Sequence, residues 1–287
     1  MKLCFNQASS EQCRDHSMLA DLEAAERYGF DYIDLRSDTL DAYLRSSAPE
    51  DLAEWFRSHR LKPHTYSALM FFNWRRSRAD RQELLDEVRR LIPVFNSIDL
   101  KTIAVIPSAN IAEHATVGEI EDDAVVMLNK IADLCEPHGI SVALEFIGSG
   151  AFTINRFDTA YDIVSTVNRT SVGIALDVFH FHAMGSDCKD LAESDGRKII
   201  NLHLNDVEHL PIGAPYLTDE KRLWPGDGCV DKARLAEALH ASGFDTSTVP
   251  AAVEVFRPEY YELSVDENVS TAYRKTKSFV EQYLTEQ

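Results

Sequence analysis

Short apolar runs recur along the chain, and each is followed by a stretch with helical periodicity. Eight of these runs read as strands: Leu3–Asn6, Tyr32–Arg36, Lys62–Ala68, Thr102–Pro107, Ser141–Ile147, Val172–Val178, Ile199–Asp206 and Val249–Phe256. Most are close to continuously apolar rather than alternating, as expected of parallel strands covered on both faces. Between them, Met18–Tyr28 places apolar residues at Leu19, Leu22, Ala25 and Tyr28 and stops at Gly29, which favours the left-handed conformation of a helix end. Similar periodicity marks helices over Pro49–His59, Arg81–Ile92, Ile120–Cys135, Phe157–Val167, Leu191–Arg197, Asp231–Ser242 and Ser264–Tyr283. Strand and helix alternate with no Gly/Ser-rich linker, which predicts an α/β fold, a (β/α)₈ TIM barrel forming one domain over residues 1–287 with a C-terminal helix. A doubly wound sheet is the rival, but it often carries a glycine-rich phosphate turn, and the chain has no G-x-G-x-x-G.

Four of the later runs end in a side chain that can ligate a metal: Glu145, Asp177, His203 and Glu254. In a barrel, strand ends of this polarity converge at the mouth. Three carboxylates and one imidazole meeting there repel one another unless a cation sits between them. Any one of them alone could be answered by a neighbouring Lys or Arg. Arg257 is the only such residue within four positions of any of the four. The donor set is hard and oxygen-rich, which suits one divalent ion, Mn²⁺ first, with Zn²⁺, Co²⁺ or Mg²⁺ as alternatives. Glu145 and Glu254 could also work as an acid/base pair on a carbon next to a carbonyl, with the metal stabilising the enediolate.

Composition narrows the partners. A formal net charge of −18 disfavours nucleic-acid phosphates and anionic membranes. No apolar run approaches the roughly 20 residues of a membrane span, and the start Met1-Lys-Leu-Cys-Phe-Asn lacks a secretory pattern. The five cysteines are widely spaced with no C-x-x-C pair, as in a reducing compartment. The expectation is a cytoplasmic enzyme for a small polyol or keto-sugar, with a homo-oligomer left open.

Other residues are placed to line the mouth. In Asp177-Val-Phe-His-Phe-His, His180 and His182 share a face if the segment stays extended, and His180 is the stronger candidate for substrate hydroxyls. Trp224, in Leu-Trp-Pro-Gly-Asp-Gly, could stack on a ring or simply pack under a loop. Arg257 could hold a substrate oxygen or pair with Glu254. Asn6, Tyr66 and Phe71 lie near the ends of the first and third strands. Phe71-Phe-Asn-Trp74 reads as an apolar lid or a subunit contact.

Ala143-Leu-Glu-Phe-Ile-Gly, Leu176-Asp-Val-Phe-His-Phe-His-Ala-Met-Gly-Ser, His203-Leu-Asn-Asp, Trp224-Pro-Gly and Val253-Glu-Val-Phe-Arg-Pro-Glu-Tyr-Tyr resemble the sugar phosphate isomerase/epimerase superfamily with the xylose-isomerase-like barrel. Within it, the chain is most similar to members that isomerise keto-inositols in inositol catabolism. The resemblance implies a metal on Glu145, Asp177, His203 and Glu254, catalysis by Glu145 and Glu254, substrate contact by His180, and conversion of 2-keto-myo-inositol to 1-keto-D-chiro-inositol. Related ketose 3-epimerases carry an Arg six residues after the metal histidine, where this chain has His209. That departure counts against a linear ketose as substrate. Gly213-Ala-Pro-Tyr-Leu looks extended relative to the isomerases. Epimerases, inosose or 3-dehydroshikimate dehydratases and 3-keto-glycoside eliminases remain as alternatives, since all begin with proton removal next to a carbonyl. An apurinic endonuclease, which shares the barrel, fits poorly with the acidic charge. A non-catalytic sugar-binding protein would need no metal.

Overall fold

The computed structural model describes residues 1–75, 77–111, 115–214 and 217–285. Its strands are β1 Leu3–Asn6, β2 Tyr32–Arg36, β3 Lys62–Leu69, β4 Thr102–Val105, β5 Ser141–Glu145, β6 Val172–Asp177, β7 Ile199–Leu204, β8 Asp206–Val207, β9 Arg222–Leu223 and β10 Ala251–Val253. All but β8 and β9 close into a parallel barrel in the order β1-β10-β7-β6-β5-β4-β3-β2. The short pair β8–β9 is antiparallel and forms a small ribbon in the loop between β7 and β10. Strand residues are buried almost throughout, as in β4, β6 and β10. That burial explains why these strands read as unbroken apolar runs.

Helices cover the outside. Arg78–Ile98 and Val117–Cys135 begin before the apolar periodicity does. Their first turns are largely exposed and are set by capping boxes, Ser77 with Asp80 and Thr116 with Glu119. The helix expected over Leu191–Arg197 instead spans Cys188–Glu193, capped by Asp187. Ser37–Leu44 is a further helix, with Leu40 fully buried and no strong periodic signature. The C-terminal helix Val265–Phe279 packs on Met18–Tyr28. No helix among the described residues is long and apolar enough to cross a membrane.

One difference bears directly on the mouth. The segment after Asp177 is not extended: Val178–Ala183 is a helical turn whose first N–H groups Asp177 caps, its Oδ1 accepting from the His180 N–H at 2.8 Å. Residues two apart on a helix face nearly opposite ways. His180 is therefore buried, while His182 turns toward Cys229, with Nε2 and Sγ 4.0 Å apart. Gly148 lets the loop after β5 lie against this turn, because a Cβ there would stand 2.6 Å from the His180 carbonyl oxygen.

Candidate metal centre

The last residues of β5 and β6 are Glu145 and Asp177; His203 lies in β7, and Glu254 directly follows β10. Strand register sets Asp177 beside His203. All four are buried, and one donor atom from each lies within 4.8 Å of the others. His203 Nδ1 stands 3.1 Å from Glu145 Oε1, 3.2 Å from Glu254 Oε2 and 3.9 Å from Asp177 Oδ2. Donors about 2.0–2.2 Å from a cation in a tetrahedral shell stand about 3.3–3.6 Å from each other. The observed spacings bracket that edge length, so the four residues fit one divalent ion.

A cation that the sequence did not place also reaches this point. Arg222, at the start of β9, is almost wholly buried and donates from Nη1 to Asp177 Oδ2 at 2.7 Å and Glu254 Oε2 at 2.8 Å. Its Nη2 donates to Asp219 Oδ1 at 2.7 Å, and its guanidinium lies 5.0 Å from the ring centroids of both Phe179 and Phe256. Local sequence offered Arg257 as the nearby cation, but Arg257 pairs with Glu208 at 2.5 Å and Glu259 at 3.0 Å, away from Glu254. The only sequence signal for Arg222 is its place in the loop after β7, and that signal is weak until the β8–β9 ribbon folds that loop back over the barrel mouth.

Arg222 also decides the state of His180. A guanidinium can only donate, and Nη2 stands 3.1 Å from His180 Nε2. Nε2 is therefore the acceptor and Nδ1 carries the proton. That Nδ1–H is buried and has no partner among the described residues. His180 lines a cavity of about 320 Å³ together with Glu145, Glu254, Arg222, Asp219 and Phe256.

The electrostatics separate the two glutamates. Burial raises the Glu145 carboxyl above the ordinary range, and His203 offsets only part of that rise. At Glu254 burial also acts upward, but His203 and then Arg222 hold it well below the ordinary range. For His203 burial acts downward, yet Glu254 and Glu145 raise it well above its ordinary value. In the metal-free protein a protonated His203 thus stands among the carboxylates, and a bound cation would displace that proton.

The remaining expected site residues lie apart. Tyr66 packs on Phe95 in the barrel–helix layer, with ring centroids 5.1 Å apart. Trp224 is buried and stacks on Tyr260 at 4.5 Å, so it supports the loop after β9. Asn6 caps the turn Gln7–Ser9, its Oδ1 accepting from the Ala8 N–H. Phe71 is half-exposed at the rim, Phe72 is buried, and Met70 is the residue of that loop that lines the cavity. His209 is exposed. In the extended loop, residues 215 and 216 lie outside the described residues.

The family described as xylose isomerase-like TIM barrel matches residues 22–280. The chain belongs to that family. It is 40% identical over 285 residues to an inosose isomerase of Bacillus velezensis, covering 99% of both chains. It is also 40% identical over 286 residues to an inosose isomerase of Bacillus subtilis, covering 99% of this chain and 100% of that one. The solved structure of the IOLI protein with a binding zinc atom superposes with a TM-score of 0.94 at 40% identity, over 100% of both chains. A family member of this similarity solved with zinc agrees with the donor set in assigning a divalent metal.

Proposed function

We propose that the protein isomerises a keto-inositol, moving the ring carbonyl to the adjacent carbon and so converting 2-keto-myo-inositol to 1-keto-D-chiro-inositol. The observation that carries this is the placement of Glu145 and Glu254: they come from strands β5 and β10, which flank the β6–β7 pair, both lie within 3.2 Å of His203 Nδ1, and both line one ring-sized cavity. The curated relatives of matching length are inosose isomerases. A bound divalent ion would supply Lewis-acid stabilisation of negative charge on the carbonyl and neighbouring hydroxyl oxygens. Manganese is our choice for that ion, because three of the four donors are carboxylates.

The chain's own groups divide the remaining work. Glu145, which no arginine touches among the described residues, is the more basic carboxylate and takes the proton from the carbon next to the carbonyl. Glu254, held ionised by Arg222, faces the same cavity from the other strand: it takes the hydroxyl proton borne by that same carbon and delivers it to the former carbonyl carbon, while Glu145 passes its proton to the former carbonyl oxygen, so both carboxylates are restored. His180 lines the same cavity and is the histidine placed to contact substrate. Each such group typically contributes about 10²–10⁴-fold.

Ring-proton exchange in D₂O, followed by NMR on metal-loaded protein with a panel of keto-inositols and ketohexoses, tests this reading. Exchange and product on 2-keto-myo-inositol are expected. Exchange confined to ketohexoses would overturn it in favour of a ketose 3-epimerase. That second reading gains from Arg222, since a guanidinium reaches the cavity even though position 209 is a histidine.

A further inference from the structure

His203 presents its two ring nitrogens to different halves of the barrel. Nδ1 faces the three carboxylates of β5, β6 and β10, while Nε2 faces Asp34 of β2, with Oδ2 at 3.5 Å, and the Asn201 amide at 3.0 Å. An imidazole that gives Nδ1 to a cation must carry its proton on Nε2. Buried polar hydrogens need an acceptor, and His203 is fully buried.

Two acceptors are within reach. Asp34 Oδ2 is buried and has no hydrogen-bond partner among the described residues, with His203 Nε2 approaching it at 3.5 Å, whereas Oδ1 accepts from the Thr65 N–H at 3.0 Å and lies 3.1 Å from His64 Nδ1. The carboxylate is thus anchored through one oxygen and presents the other to His203. Asn201 faces Nε2 through its amide nitrogen, and its Oδ1 has no partner among the described residues. Turning that amide over would offer Oδ1 to the same proton. Of the two, only Asp34 brings a negative charge, and charge-assisted hydrogen bonds are the stronger ones.

We infer that Asp34 is the positioning residue of the centre, holding the His203 imidazole with Nδ1 toward the cation and Nε2–H toward β2, and raising the basicity of Nδ1 as a ligand. The inference rests on the metal reading above. It gives a function to a buried acid on the half of the barrel that supplies no ligand. It also competes with a different use of the same residues, because Cys4, Asp34 and His64 bring one donor atom each within 4.8 Å and could hold a second ion.

The test compares wild-type protein with Asp34→Asn and His64→Gln, using Zn²⁺ binding in competition with a chromophoric chelator. One equivalent in wild type, a loss of about 10–100-fold in affinity for Asp34→Asn and a smaller loss for His64→Gln are expected. Independently of any variant, ¹⁵N NMR of wild-type protein loaded with ¹¹³Cd²⁺ should show metal coupling at His203 Nδ1 and a proton on Nε2. Coupling at Nε2, unchanged affinity in a folded Asp34→Asn protein, or a second equivalent lost in that variant would each overturn the inference. Failure of wild-type protein to bind any ion would instead sink the metal reading itself, and this inference with it.

Discussion

The two halves of the barrel treat polar residues differently. On the side of β5, β6, β7 and β10, each strand delivers one donor near its C-terminal end, and the four donors share one point. On the side of β1 to β4 no strand supplies a member of that set. Asp34 and His64 brace the centre from behind, and Arg36, Ser67, Met70 and Ile106 form a cavity wall. The ligand side concentrates negative charge that Arg222, His203 and an added cation answer. The bracing side anchors Asp34 to His64 and Thr65 through one oxygen and turns the other toward His203. A functional site needs both, because donors in a buried cluster hold their geometry only if something outside the cluster orients them.

Glu145→Gln and Glu254→Gln should each lower turnover by about 10²–10⁴-fold or more while the fold persists, measured by product formation under saturating metal. Near-normal turnover in either variant would break the assignment of the pair. Arg222→Met leaves Asp177 and Glu254 without their internal cation, and loss of one partner from a buried ion pair costs about 3–5 kcal/mol. Urea unfolding of the metal-free variant should show that loss, with part of it recovered on adding metal. An unchanged midpoint would mean that Arg222 does not balance the ligand side.

Metal removal should have the next largest effect. At a free ion concentration of about 100 times Kd, a bound cation stabilises the fold by about 2.7 kcal/mol, so chelation should lower the unfolding midpoint reversibly. His203 binds its proton more tightly in the folded metal-free protein than when unfolded. Its protonated form therefore stabilises that protein below the ordinary histidine value, and the contribution is lost as pH rises through the raised one. The ion competes with that same proton, so metal affinity should climb with pH and calorimetry in buffers of different ionisation heat should detect proton release on binding. The smallest effect belongs to Arg257→Ala. Arg257 pairs only with Glu208 and Glu259 among the described residues, so stability should change by no more than about 1 kcal/mol and kcat/KM should hold. A collapse of kcat/KM would return Arg257 to the substrate.

The ligand side was legible because a charged residue closing an apolar run is a local signal. Glu145, Asp177, His203 and Glu254 each stand out against four or five buried neighbours without reference to anything else in the chain. The same logic misjudged the cations. Arg257 is three positions from Glu254 and does not touch it, whereas Arg222 is far away in the chain and donates to it. Helix starts at Arg78 and Val117 were missed because capping is polar, and periodicity sees only the buried face.

From its pattern of apolar runs the chain determined the alternating barrel and the strand ends that carry donors. Those features depend on hydrophobic burial and on spacing along one strand, which neighbours in sequence decide. The helical turn that separates His180 from His182, the tautomer that Arg222 imposes on His180, and the aim of Asp34 at the back of His203 were decided only by the tertiary structure. Each of these depends on which group meets which across the closed barrel, and directional hydrogen bonds between distant segments leave no periodic trace in the sequence.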